Sequence, residues 1–95
     1  MIQDFITQLT QIAQANITNE NFGPEELASK MGMSHSTLHR KLKAATNKTI
    51  SQFIRELRLK KASQLLLTEQ STVAEIAYNV GFGSATYFNK CFNTL

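Results

Sequence analysis

Glu75-Ile76-Ala77-Tyr78-Asn79-Val80-Gly81-Phe82 decides the fold, because the chain has already written it once as Glu26-Leu27-Ala28-Ser29-Lys30-Met31-Gly32-Met33. The offset between the copies is 49 residues up to the glycine and becomes 50 after it, where Gly83 is an extra residue. Beyond the turn Ser34 matches Ser84, Leu38 matches Phe88, Arg40 matches Lys90 and Leu42 matches Phe92. In each copy a short amphipathic segment ends on a glycine, which adopts a left-handed conformation without a Cβ penalty. A serine that can cap a second helix follows. The pattern is helix, turn, helix, and it occurs twice.

Around the copies the chain reads as helix throughout. Ile2, Phe5, Ile6, Leu9, Ile12 and Ala13 form one stripe at helical spacing, and the helix they predict ends near Asn16. Asn19-Glu20-Asn21 reads as a loop, and Pro24 opens the next helix at a position where its missing N–H is harmless. The third helix spans roughly 35–46, with Leu38, Leu42 and Ala45 inward. Thr49-Ile50-Ser51-Gln52 is a capping box for a long helix to about Leu67. The apolar residues of that helix occupy more than one stripe, as in a strut packed from two sides. Thr72-Val73-Ala74-Glu75 is a second capping box, and Ser84 begins the last helix, with Phe88 and Phe92 inward. The expectation is an all-α fold of two homeodomain-like three-helix units joined by a long central helix. The boundaries expected are 1–48 for the first unit, 49–68 for the linker helix and 69–95 for the second unit, together one domain.

Ninety-five residues suit one domain with a modest core. No segment is long and apolar enough to cross a membrane, and no signal peptide opens the chain. The single Cys91 excludes an internal disulfide and fits a reducing cytoplasm. The net charge of +3 is unevenly placed: residues 30–61 hold nine Lys and Arg against Glu56 alone, a net +8. A charge run usually marks a solvated helix face. Coinciding with a helix-turn-helix pattern, it points to a polyanion.

If Leu38, Leu42 and Ala45 face inward, Ser36, His39, Arg40 and Lys43 share the outward face of the third helix. The DNA major groove admits one helix and offers acceptors that Arg reads on guanine. Thr86, Asn89 and Lys90 form the matching face of the last helix, with Ala85 beside them for a thymine methyl. Ser34, Lys41, Lys48 and Ser84 are placed to meet phosphates, and for the two serines plain capping is an equal reading. Tyr87 reads as packing beside Phe88, with a hydrogen bond to phosphate as the other reading, and Cys91 reads as a small buried filler. His35 and His39 have a metal-compatible spacing but no third ligand nearby, and no catalytic set can be assembled. Neither a metal, a cofactor nor an enzymatic activity is therefore expected.

These residues resemble a known family. Glu26-Leu27-Ala28 through Gly32-Met33-Ser34, Phe53-Ile54 with Arg58-Leu59-Lys60-Lys61-Ala62, Ile76 through Phe82, and Tyr87-Phe88-Asn89-Lys90-Cys91-Phe92 are similar to the AraC/XylS-type DNA-binding domain across essentially the whole chain. The resemblance implies a transcription regulator, often an activator. Its two helix-turn-helix units enter successive major-groove segments on one face of double-stranded DNA. By matching positions, Ser36, His39 and Arg40 fall on base-reading sites of the first unit, and Thr86, Asn89 and Lys90 on those of the second. Family members continue past the position of Phe92 through a further segment, so Asn93-Thr94-Leu95 reads as a truncated end. They also carry a sensor or receiver domain ahead of this module, and the parent protein is expected to engage RNA polymerase. The rival expectation is a helical protein-interaction module that keeps the scaffold without touching DNA.

Overall fold

The computed structural model describes residues 2–68 and 72–93 and contains six helices. They are α1 (Ile2–Asn16), α2 (Pro24–Lys30), α3 (His35–Thr46), α4 (Ile50–Thr68), α5 (Val73–Asn79) and α6 (Ala85–Phe92). The inward place expected for Ile2, and the end at Thr94 and Leu95, lie outside the described side chains and residues.

Side chains fix where the helices start. The Ser34 hydroxyl accepts from the Thr37 N–H at 3.1 Å, and Ser84 accepts from the Tyr87 N–H at 3.3 Å. Thr49 and Gln52 cap reciprocally: Thr49 Oγ1 accepts from the Gln52 N–H, and Gln52 Oε1 accepts from the Thr49 N–H. Thr72 and Glu75 do the same for α5. At α2 the cap is Gly23, and the Glu26 carboxylate accepts from its N–H at 2.9 Å, a contact the sequence pattern did not suggest. A lost Ser or Thr cap costs about 1 kcal/mol. Ser34→Ala is therefore expected to lower the melting temperature by roughly 4–8 °C, read by circular dichroism.

The helix ends are set by backbone conformation. Gly32 and Gly81 both have positive φ, +69° and +91°. Behind them the Met33 N–H donates to Ala28 O at 3.0 Å and the Phe82 N–H to Ala77 O at 2.9 Å. The same turn has thus been built twice, and the extra Gly83 falls after it. Helix α3 ends on a different device: Asn47 is left-handed at φ 61° and donates its N–H to Lys43 O.

Two hydrophobic clusters result. The first gathers Leu9, Ala13, Phe22, Leu27, Ala28, Leu38, Leu42, Ile50, Phe53 and Ile54. The second gathers Leu59, Ala62, Ile76, Ala77, Val80, Phe82, Phe88 and Cys91. Helix α4 belongs to both: residues through Leu57 pack on the first cluster, and from Leu59 onward they pack on the second. Most equivalent positions are alike in burial, with Leu27, Ala28, Leu38, Ile76, Ala77 and Phe88 all at most 2% exposed, but Val80 and Phe82 are buried where their counterparts Met31 and Met33 are only partly so. The symmetry loosens at the end of each second helix. Leu42 is fully buried, whereas Phe92 is only half-buried and Cys91 is buried beside it. Ala45, expected at the inner edge of α3, is likewise half-buried. Ile17 and Phe22, which stand outside any helical stripe, are both core residues.

Candidate nucleic-acid interface

Burying Leu38 and Leu42 turns the opposite side of α3 to solvent. Ser36, His39, Arg40 and Lys43 are all exposed there. Burying Phe88 and Cys91 does the same for α6, where Thr86, Asn89 and Lys90 are exposed and Ala85 is half-buried. Among the described residues none of these seven polar side chains forms an internal hydrogen bond or an ion pair. Two equivalent helices therefore each present an uncommitted polar face. Leaving such donors and acceptors unpaired costs nothing in water, and they are available to an external partner.

The remaining polar positions differ in how free they are. Lys41 is exposed, with its ammonium 5.9 Å above the Phe5 ring. Lys48 is ion-paired to Glu56 at 2.6 Å, a half-exposed pair of the kind worth about 0–1 kcal/mol, so it is easily released. The Ser34 hydroxyl donates to Thr37 Oγ1 at 2.9 Å as well as capping α3, so its proton is already spoken for. Ser84 only accepts, from the Tyr87 N–H, and its proton is free to point outward. Tyr87 itself is divided: its ring lies 5.9 Å from that of Phe82, yet the residue is 48% exposed.

One cation of the basic block is turned inward. Arg58 Nε donates to Ile17 O at 3.0 Å, and Nη2 donates to Asn19 O and Phe22 O at 2.9 and 3.0 Å. Burial pushes its pKa down from the ordinary value, and the opposite charge of Glu20 works against that shift. Helical spacing gave no sign of this role, because the three carbonyls lie 36 to 41 residues away in the chain. Arg55, Glu20 and Tyr87 line the cleft around it with the Gly81–Gly83 turn. Among the described residues no group of three His, Cys, Asp or Glu side chains could hold a metal, and no helix is long and apolar enough to cross a membrane.

The architecture is a duplicated helix-turn-helix on a shared strut, with two outward polar helices. Residues 27–95 match a family model described as a helix-turn-helix domain. The chain is 41% identical over 68 residues to the HTH-type transcriptional activator RhaS of Citrobacter koseri, covering 72% of this chain and 24% of that protein. It is 41% identical over 90 residues to a protein named histidine kinase P4 from Formosa agariphila, covering 95% of this chain but 7% of that protein. The chain thus spans a small fraction of the curated relatives it matches. Among solved structures, an AraC-type transcriptional regulator from Chromobacterium violaceum superposes with a TM-score of 0.88 at 28% identity, over 97% of this chain and 81% of that one. The DNA-binding domain of AdpA, solved in complex with a target DNA, gives a TM-score of 0.84 at 26% identity, over 93% and 78%. This chain belongs to the AraC/XylS-type helix-turn-helix family of DNA-binding transcription regulators.

Proposed function

We propose that the chain is the sequence-specific, double-stranded-DNA-binding output module of a transcription regulator, with α3 and α6 entering successive major-groove segments. The observation that carries this reading is the pair of uncommitted polar faces on equivalent helices. In the first half-site Arg40 reads guanine, supported by Ser36, His39 and Lys43. In the second, Asn89 suits adenine, Lys90 guanine, and Thr86 either class of edge. Lys41, Lys48, Ser84 and Ser34 face phosphates, with Ser34 contributing least because its hydroxyl is engaged.

The parent protein is proposed to act as an activator in the cytoplasm, to contact RNA polymerase and to carry its sensor or receiver domain elsewhere in its sequence. The word kinase in one relative's name describes that much longer protein. For this module we propose no enzymatic activity, cofactor or metal.

Selection from a random duplex library tests the reading, and an enriched asymmetric site spanning two groove segments is the expected result. On that site Arg40→Ala should cost about 1–3 kcal/mol and relax preference at one base pair. Lys41→Ala should weaken every duplex alike and flatten the salt dependence by about one unit of log–log slope. Equal losses on all duplexes from Arg40→Ala would remove it from the base-reading set. No enrichment even at low salt would favour a protein-interaction module instead.

A further inference from the structure

Arg58 occupies the residue of α4 between Leu57, which packs on the first cluster, and Leu59, which is buried in the second. From there its guanidinium holds three carbonyls of the α1–α2 loop, those of Ile17, Asn19 and Phe22. The second unit's turn rests on the same loop and the same guanidinium. A Cβ built on Gly81 would lie 2.0 Å from Ile17 O and 2.6 Å from Arg58 Nε, so only a glycine allows that approach. A Cβ on Gly83 would lie 2.6 Å from Glu20 Oε2, a second point where the turn meets the loop.

We infer that Arg58, with the Gly81 turn seated against it, is a positioning residue that locks the angle and separation of α3 and α6. It thereby selects the half-site spacing the chain accepts. The inference rests on the DNA-binding reading for its functional consequence, and on geometry alone for the lock. Each recognition helix is anchored in its own cluster through Leu38 and Leu42 or through Phe88 and Cys91, so any swing of one unit about α4 moves a recognition helix with it. A single helix bends gently under load. A second bridge off the helix axis, made by a rigid planar fork to three carbonyls at once, removes that freedom. Lysine, a point charge on a flexible stem, cannot reproduce the fork.

One inserted base pair between half-sites turns the second by about 34–36° and moves it by 3.4 Å. A locked pair of readers cannot follow, and simultaneous engagement, typically worth about a hundredfold or more, is lost. The whole 95-residue chain is compared with Arg58→Met and Arg58→Lys in two measurements. Amide residual dipolar couplings, taken without DNA, should fit one alignment tensor for both units in the wild type and require two in the variants. On the selected site, one inserted base pair should reduce wild-type affinity by about a hundredfold but variant affinity by no more than about tenfold. If Arg58→Met loses its helical circular dichroism, Arg58→Lys, which keeps the charge and most of the stem, decides both readouts. A single tensor for the folded variant, two tensors for the wild type, or an unchanged spacing penalty would each overturn the inference. Failure of the wild type to enrich any duplex would instead overturn the DNA-binding reading, and the tensors would still judge the lock.

Discussion

Gly81→Ala is expected to destabilise the protein by about 3–5 kcal/mol, whereas Gly32→Ala, at the same place in the first copy, should cost only about 1–2 kcal/mol. Both glycines have positive φ, so both alanines carry the left-handed penalty. Nothing lies within 4 Å of a Cβ at Gly32, and that penalty is all it meets. At Gly81 the new methyl would sit on a backbone oxygen and the Arg58 guanidinium. Relief requires the turn to withdraw or the Ile17 carbonyl to give up its charged donor, and hydrogen bonds to charged groups are worth about 1.5–3 kcal/mol. Urea unfolding of the two variants side by side measures the difference. Equal losses would show that the second turn does not press on the first unit. Against a typical total stability of about 5–15 kcal/mol, the Gly81 change threatens folding itself.

Phe88→Ala is the second large effect, expected at about 3–5 kcal/mol by denaturant unfolding. Phe88 is 1% exposed and makes an edge-on contact with Phe82 at 5.1 Å and a tilted one with Phe92 at 5.4 Å. Its cluster has no counterpart of α1 and depends on fewer buried side chains than the first. Removing one of its two buried phenylalanines leaves a cavity that the half-buried neighbour Phe92 can fill only in part. Amide exchange should rise first in α5 and α6, while α3 keeps its protection. A uniform rise across all helices would mean that the two clusters fail together.

Much of this molecule was legible because its signals are local. Caps at Ser34, Thr49, Thr72 and Ser84 need only a neighbour three residues on, and all four serve as read. The outward faces of α3 and α6 followed from the burial of Leu38, Leu42 and Phe88 through helical geometry alone. Ile17 and Phe22 were missed because they sit in the α1–α2 connection, where no periodicity marks a buried side chain. Arg58 is not distinguished from the rest of the basic block for a related reason: an arginine drawn to three distant carbonyls has the same spacing as one in solvent. Its diversion, together with the Lys48–Glu56 pair, means that the +8 block overstates the cations standing free to meet phosphate. Asn47 took the left-handed position that ends α3, a place where the more usual residue is glycine.

The shared helix α4 has an evolutionary consequence. Inserting one residue between Leu57 and Leu59 would advance one unit by about 1.5 Å and turn it by about 100° relative to the other. Both recognition helices would still fold, but their relative orientation would change by that turn. The turns are more forgiving, as the additional Gly83 shows: a residue gained there is absorbed before α6 begins. Descendants of such a duplicated module are therefore free to vary in turn length and in the chemistry of their exposed faces. The nineteen residues of α4 act as a fixed gauge, open to substitution at its exposed positions but closed to insertion or deletion.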